Sequence, residues 1–229
     1  MRSLSALLLT AALAVAADPK PVELFNGKDL SGWKLKGNDE KKSKWKATVV
    51  GADEKGGFIE KETGADTPRQ LVNLTGQGVD VFTAEKFGDC TVELEFMVPK
   101  GSNSGIYLMG EYEVQVLDSF GKADDKLTEG DLGAIYSAAK PKKNLAKKPG
   151  EWQSFKIEFQ APKFDGDKKT ANAKFVKVTL NGEVLHENVE MKQQTPGGLT
   201  GKEAATGPLM FQGDHGPVAF RNIKVTPKK

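Results

Sequence analysis

The stretch from Glu111 to Asp118 carries the side chains best suited to chemistry. It reads Glu-Tyr-Glu-Val-Gln-Val-Leu-Asp, so acids and an amide alternate with tyrosine and valine. Alternation with a period of two predicts a β-strand that buries one of its faces. The polar face then carries Glu113 and Gln115, with Asp118 at the exit of the strand. Side chains of these types bind polar ligands, and sugars are the obvious class.

Two preceding stretches carry further polar groups. Glu93 and Glu95 alternate with apolar residues, and Asn103 opens the stretch Asn-Ser-Gly-Ile-Tyr-Leu. We therefore expect three successive strands to place carboxylates and amides on one open sheet face, with Glu95 beside Glu113. A carboxylate that faces another in a partly dry cleft has a raised pKa, which suits a base near neutral pH. The alternative is that Glu93 and Glu95 line a solvated face.

The loops add candidates for the same site. His215 lies in a loop flanked by glycine and proline, where it could act as an acid, a hydrogen-bond donor or a metal ligand. The alternative for His215 is a structural role, in which its side chain makes a hydrogen bond within the turn. Gln212 and Tyr136 are candidates for substrate binding, as is Arg221, whose alternative is an ion pair with a carboxylate at the edge of the core. The other histidine, His186, is expected at the surface.

The elements that must position these groups are short strands. About ten runs of alternating residues are separated by turn signals, and no window outside the N-terminus has helical periodicity. The pair Asn181-Gly182 is typical of a type I′ hairpin turn. The pattern predicts an all-β, antiparallel sandwich or barrel. The polar faces of the central strands favour a sandwich with one concave, open sheet.

Bulk composition excludes some functions. The chain has 229 residues and a net charge of +2, so it suits one domain and gives no indication of nucleic-acid binding. Its single cysteine, Cys90, rules out an internal disulfide and is expected to be a small buried hydrophobe.

The N-terminus resembles a targeting segment. Arg2 precedes the apolar run Leu4–Val15, which is too short to span a membrane comfortably and is followed by small residues. Residues 1–17 are therefore predicted to be a cleaved signal peptide, and residues 18–229 a single domain without a membrane span. The protein is expected to be secreted or periplasmic. The alternative is an uncleaved anchor.

Six stretches of the sequence together resemble the motifs of one known family. They are Leu24-Phe25-Asn26-Gly27-Lys28-Asp29-Leu30-Ser31-Gly32-Trp33, Phe87-Gly88-Asp89 leading to Glu93-Leu94-Glu95-Phe96, Asn103-Ser104-Gly105-Ile106-Tyr107, Tyr112-Glu113-Val114-Gln115-Val116-Leu117-Asp118, Pro149-Gly150-Glu151-Trp152, and Asp214-His215-Gly216 leading to Phe220-Arg221-Asn222-Ile223. The family is bacterial and secreted and is associated with 3-keto-disaccharide hydrolysis. The resemblance covers nearly all of residues 22–227 in order and implies a concanavalin A-like jelly roll. One departure is Met109, which stands where many members have an arginine before a glycine.

The resemblance implies 3-keto-glucoside 1,2-lyase and 3-keto-2-hydroxyglucal hydratase activity. A ketone at C3 of a sugar acidifies the hydrogen on C2, so a base can remove it and the C1 substituent can leave; water then adds back. Glu113, beside Glu95, is the expected base, and His215 the expected donor to the 3-keto oxygen or ligand of a divalent metal. No dinucleotide fingerprint is present, so a separate sugar 3-dehydrogenase must supply the ketone.

Two other functions remain open. A non-catalytic carbohydrate-binding module could share the same fold, because folds do not fix function. Aromatic platforms would favour it, and Tyr107, Tyr112 and Tyr136 are too few to decide. An ordinary retaining glycosidase would need two carboxylates about 5–5.5 Å apart.

Overall fold

A computed structural model describes residues 19–53 and 55–228, so the predicted signal peptide lies outside the described residues. Within them the chain forms seventeen strands and two short 3-10 helices, Lys36–Asn38 and Asp124–Lys126. No helix in this part of the chain is long and apolar enough to cross a membrane. In chain order, strands β1 to β17 are Val22–Glu23, Trp33–Leu35, Trp45–Thr48, Val50–Ala52, Phe58–Glu60, Gln70–Asn73, Val81–Thr83, Cys90–Met97, Asn103–Leu108, Tyr112–Leu117, Gln153–Gln160, Lys163–Asp165, Lys168–Ala171, Ala173–Leu180, Glu183–Met191, Met210–Phe211 and Val218–Pro227.

Most of the strands form two antiparallel sheets. The large sheet has the order β15-β14-β11-β8-β17-β6-β3, with β1 joined to β17. The small sheet has the order β10-β9-β16-β7-β2. Non-consecutive strands are neighbours in both, as in a jelly roll. The predicted all-β, antiparallel sandwich of the concanavalin A-like kind is confirmed.

Apolar side chains from both sheets meet in one core. The ring of Phe211 on β16 stacks on Phe220 on β17, with ring centroids 3.9 Å apart. Tyr112 on β10 likewise contacts Phe159 on β11, with centroids 5.5 Å apart. Each of these pairs joins the small sheet to the large one. The polar face of each sheet therefore points away from the other sheet.

This layering corrects the expectation for Glu95. Its strand, β8, belongs to the large sheet, whereas β9 and β10 belong to the small sheet, because the chain crosses the sandwich after Pro99. Both strands bury their apolar faces in the same core, so Glu95 and Glu113 lie on opposite outer faces. The prediction of three strands with one shared polar face is wrong for β8. Glu95 instead accepts a hydrogen bond of 2.6 Å from Nε of Arg221.

Local features test three further expectations. The hairpin between β14 and β15 turns at Asn181 and Gly182, whose φ angles of 51° and 85° are both left-handed, as a type I′ turn requires. Cys90 is a buried free thiol, and burial raises its pKa to about 12, which confirms its role as a small hydrophobe. His186 is buried as well, with Nε2 2.8 Å from the carbonyl oxygen of Gly133. Its predicted place at the surface is therefore wrong.

Candidate functional site

A cavity of about 280 Å³ lies on the outer face of the small sheet. Strands β9 and β10 carry its floor, and the connections that follow β2, β6, β10, β15 and β16 supply its walls. A larger cleft of about 510 Å³ lies beside Trp33 and Trp45, but Glu40 is the one carboxylate among the described residues that line it. The residues around the 280 Å³ cavity are Lys36, Asp80, Asn103, Tyr107, Glu113, Gln115, Tyr136, Pro196, Gly197, Gln212, Asp214 and His215.

Glu113 is held at the floor of this cavity by its neighbours. It pairs with Tyr107 across β9 and β10, and the next pair along this face joins Gln115 to Gly105. Gly105 leaves room for the Glu113 carboxyl, because an added Cβ would collide with a carboxyl oxygen in its present position and force it to move. The backbone N–H of Glu113 donates to Oγ1 of Thr195 at 3.1 Å. These contacts fix the carboxyl of a residue that is only 3% exposed.

Burial raises the pKa of Glu113 to about 7. That value is the net result of several effects: the Tyr107 hydroxyl and the charge of His215 lower the pKa, while the negative charges of Asp80 and Asp214 raise it. The pKa of Tyr107 itself is raised, chiefly by burial, so its hydroxyl keeps its proton and remains a donor. Near neutral pH, Glu113 therefore exists in both its protonated and its ionised form, as a general base requires.

A lysine that the sequence did not single out supplies the fixed cation of the cavity. The ammonium of Lys36 donates to Oδ2 of Asp80 at 3.0 Å and to the carbonyl oxygen of Gly197 at 2.9 Å. Asp80 is buried, and its other oxygen accepts the backbone N–H of Gly213 at 2.9 Å. The charge of Asp80 is thus paired, and Lys36 is tied to two walls of the cavity.

His215 and Asp214 stand together at the mouth of the cavity. Their side chains are about half exposed, and Nδ1 of His215 lies 2.5 Å from Oδ1 of Asp214. A carboxylate at Nδ1 orients the ring and leaves Nε2 to exchange protons with a ligand or with water. His215 and Glu113 line the same cavity, so the structure brings these two predicted site residues together.

Four predicted substrate-binding residues also reach the cavity: Asn103, Gln115, Tyr136 and Gln212. The side-chain amide of Gln115 donates to Oδ1 of Asn103 at 3.0 Å. Tyr136 lies beside the cavity because residues 133–136 run along the free edge of β10. There the backbone N–H of Tyr136 donates to the carbonyl oxygen of Glu113 at 3.2 Å. Oε1 of Gln212 is buried and has no hydrogen-bond partner among the described residues, so it is an acceptor that a ligand hydroxyl can satisfy.

Three predicted site residues lie elsewhere. Asp118 fixes turns, because its carboxylate accepts the N–H groups of Gly101 at 2.8 Å and Phe120 at 3.3 Å. Glu95 and Arg221 pair with each other on the large sheet, and the Arg221 guanidinium lies 4.0 Å from the ring centroid of Trp152. The alternative given for Arg221, an ion pair with a carboxylate, is thus confirmed.

Two further expectations concern a cation. Met109 is buried in the core cluster and does not line the cavity. The position where many family members carry an arginine therefore lies outside the group of residues around Glu113. In residues 19–53 and 55–228, no three side chains of His, Cys, Asp or Glu come together in a way that could hold a metal ion.

Sequence reasoning missed Lys36, Asp80 and Asp214 as members of the site. The lysine-rich composition of residues 34–46 is typical of a solvated loop, and Lys36 falls within it, although it lies only three residues after the buried Trp33. Asp80 lies between Val79 and Val81, an acid inside an apolar run, which is a signal for a paired or functional carboxylate. These signals mark single residues. They do not show that Lys36 and Asp80 pair with each other, because the two residues are distant in sequence.

Residues 20–226 match the 3-keto-α-glucoside-1,2-lyase-like domain family. The chain belongs to this family. The resemblance found in the sequence motifs is thereby confirmed, and it extends over every residue that lines the cavity.

Relatives of this 3-keto-α-glucoside-1,2-lyase-like domain include a curated protein of Bacteroides thetaiotaomicron named 3-keto-disaccharide hydrolase. It is 28% identical over 159 residues, which cover 59% of this chain and 51% of that protein. The chain thus spans about half the length of the curated relative it matches.

Solved structures from Parabacteroides distasonis share the fold. One, provisionally described as a glycosyl hydrolase, is 28% identical with a TM-score of 0.66, and the match covers 91% of this chain and 84% of that one. A second, with the same description, is 19% identical with a TM-score of 0.61, covering 91% and 94%. At that identity the second supports the fold alone.

Proposed function

We propose that this protein cleaves 3-keto-glycosides by removing the C2 proton, eliminating the C1 substituent and hydrating the unsaturated product. The family and the name of the Bacteroides relative support a 3-keto-sugar substrate. The observation that carries the proposal is Glu113: a buried carboxyl with a pKa of about 7, in a cavity lined by amides and a cation. Elimination needs a base of this kind.

The proposed reaction starts at C2. Glu113 takes the C2 proton, and the electrons of the broken C–H bond form a C2=C3 bond while the carbonyl electrons move to the 3-oxygen. The carbonyl then reforms, a C1=C2 bond forms, and the C1–O bond breaks. A water molecule adds to C1 in the second stage, and C2 takes back a proton. The sum of the two stages is hydrolysis of the glycoside.

His215 is proposed to act with Glu113 in proton transfer. Asp214 holds Nδ1, so Nε2 can give a proton to the departing oxygen and later accept one from the incoming water. Its position at the mouth suits this role, because the aglycone leaves and the water enters from the open side.

The dimensions suit one sugar ring. The cavity volume of about 280 Å³ lies just below the usual range of ligand sites, about 300–1,000 Å³. The ring that carries the ketone would occupy it, while the aglycone would extend past Tyr136 and His215. Asn103, Gln115 and Gln212 offer donors and acceptors to the ring hydroxyls.

Two alternatives make different demands on the site. A binding module would use exposed aromatic platforms, and Tyr136 is the one exposed aromatic side chain among the described residues around the cavity. A retaining glycosidase would need a second carboxylate opposite Glu113. Asp80 is the other buried carboxylate of the cavity, and both of its oxygens already accept hydrogen bonds, from Lys36 and from the N–H of Gly213.

We also propose that the protein is exported and acts after a separate sugar 3-dehydrogenase. Arg2 and the apolar run Leu4–Val15 support export, and the absence of a dinucleotide fingerprint in the sequence supports a separate oxidation step. N-terminal sequencing of the protein recovered from the periplasm or medium tests the first point. A sequence that still began at Met1 would contradict cleavage.

The function is tested by paired incubations. A 3-keto-glucoside and the corresponding unoxidised glucoside are each incubated with wild type and with Glu113→Gln, and the released aglycone is measured by mass. We expect release from the 3-keto-glucoside by wild type alone, with a loss of about 10²–10⁴-fold in the variant. Release from the unoxidised glucoside would favour a glycosidase. Binding without release from either sugar would favour a binding module.

A further inference from the structure

The ammonium of Lys36 is held more firmly than that of an ordinary surface lysine. Lys36 is the first residue of the 3-10 helix Lys36–Asn38, and its backbone N–H donates to the carbonyl oxygen of Asp80 at 2.9 Å. Its Nζ reaches Oδ2 of Asp80 and the carbonyl oxygen of Gly197. The side chain is 34% exposed, compared with 73% for Lys42 in the same connection.

The partners of Lys36 leave one donor unused. An ammonium has three N–H groups, and the contacts to Asp80 and Gly197 use two of them. Lys36 lines the same cavity as Glu113 but makes its ion pair with Asp80. The third N–H is therefore available to a ligand in the cavity, and Glu113 is not locked in an ion pair that would lower its basicity.

We infer that Lys36 is a further catalytic residue, the group that stabilises the negative charge on the 3-oxygen when the C2 proton is removed. The inference rests on the proposed function. Proton transfer to Glu113 neutralises the carboxylate and moves one negative charge to the 3-oxygen, so the site needs a fixed positive group there. Lys36 satisfies this requirement because it is charged and oriented before the substrate binds.

The assignment also divides the work between Lys36 and His215. His215 is about half exposed and is bound to Asp214, so it exchanges protons at the mouth of the cavity. Lys36 holds the enediolate without giving up its proton, since the carbonyl reforms in the next step. No proton, electron or further reactant is needed at Lys36. The rate of C2 proton removal therefore depends on the charge of Lys36. The affinity for a sugar that lacks the ketone does not depend on that charge.

The test compares Lys36→Met and Lys36→Arg with wild type on a 3-keto-glucoside. We expect Lys36→Met to lower kcat by about 10²–10³-fold, the loss typical of removing one oxyanion donor. Lys36→Arg should recover part of that loss, because it restores the charge with a different shape. The Kd of the unoxidised glucoside, measured by calorimetry, should stay close to the wild-type value in both variants.

Lys34→Met is the matched control. Lys34 lies on β2, is exposed, precedes Lys36 by two residues and does not line the cavity. Its replacement should leave kcat unchanged. Thermal unfolding of each variant checks that the fold is retained, and Lys36→Gln replaces Lys36→Met if the methionine variant does not fold.

Three results would overturn the inference. They are a wild-type kcat for the folded, neutral variant, a loss confined to KM, and equal losses in Lys36→Met and Lys36→Arg. Failure of the proposed function is distinct, because then wild type itself would leave the 3-keto-glucoside intact, or Glu113→Gln would retain full turnover.

Discussion

Replacing Glu113 by glutamine is expected to stabilise the protein at alkaline pH while removing its proposed base. The carboxyl is buried at the floor of the cavity, with the charges of Asp80 and Asp214 nearby. Ionising it there is unfavourable, and this is why its pKa rises from 4.5 to about 7. Glutamine has nearly the same shape and no charge, so it removes that penalty.

The magnitude follows from the two pKa values. The difference between 4.5 and about 7 is about 2.5, and at about 1.36 kcal/mol per pKa unit the ionised carboxylate destabilises the fold by about 3 kcal/mol. The folded state binds the extra proton between these two values. Stability is therefore unaffected below pH 4.5, falls as the pH rises towards 7, and carries the full penalty above it. Glu113→Gln has no such fall.

The assay is urea unfolding of wild type and Glu113→Gln at a series of pH values from 4 to 9. The difference in the free energy of unfolding should grow with pH by about 3 kcal/mol, or about 6–12 °C in Tm for a chain of this size. Glu129→Gln is the control, because Glu129 is exposed. A difference between wild type and Glu113→Gln that does not change with pH would refute the raised pKa and, with it, the argument for Glu113 as the base.

Three further predictions concern His186, Gly105 and Glu95. Burial lowers the pKa of His186 from 6.5, so wild type should lose stability as the pH falls through 6.5, and His186→Gln should show less of this loss in urea unfolding. Gly105→Ala should lower turnover by about 10²-fold or more, because the added methyl group displaces the Glu113 carboxyl. Glu95→Gln should keep wild-type turnover and lose about 1 kcal/mol of stability or less, because its partly exposed ion pair with Arg221 lies on the other sheet.

Each of these has its own contradicting result. If His186→Gln loses as much free energy of unfolding as wild type when the pH falls through 6.5, another group controls stability in acid. Wild-type turnover in Gly105→Ala would mean that Glu113 need not stay where the fold holds it. Its control is Gly64→Ala, where the added Cβ lies 4.0 Å from Oγ1 of Thr67 and meets nothing nearer. A large loss of turnover in Glu95→Gln would restore Glu95 to the site.

The sequence predicted those parts of the fold that depend on local patterns. Alternation over Tyr112–Leu117 identified a strand with one polar face, and Asn181-Gly182 identified a hairpin, because both depend only on neighbouring residues. The same alternation correctly placed Glu113 and Gln115 on one face. The family motifs added the fold, and the glycine of Asn-Ser-Gly is explained by the room that Glu113 needs above Gly105.

The rest of the site depends on how distant parts of the chain meet. A period of two gives the phase of a strand but not the sheet to which it belongs, and so Glu95 was assigned to the wrong sheet. Lys36 and Asp80 are 44 residues apart, and Gly197 is 161 residues from Lys36, so no window of sequence contains their contacts. His186 looked polar and exposed because its acceptor, the carbonyl oxygen of Gly133, is also distant in the chain.

The central claim is that bond cleavage begins with transfer of the C2 proton to Glu113. The most direct measurement is turnover of a 3-keto-glucoside in D₂O, with deuterium at C2 of the released sugar measured at early times against a sample without protein. We predict deuterium at C2 of the product formed by wild type, and neither product nor exchange above the background in Glu113→Gln. Release of the aglycone by wild type with C2 still carrying its original hydrogen would contradict the account.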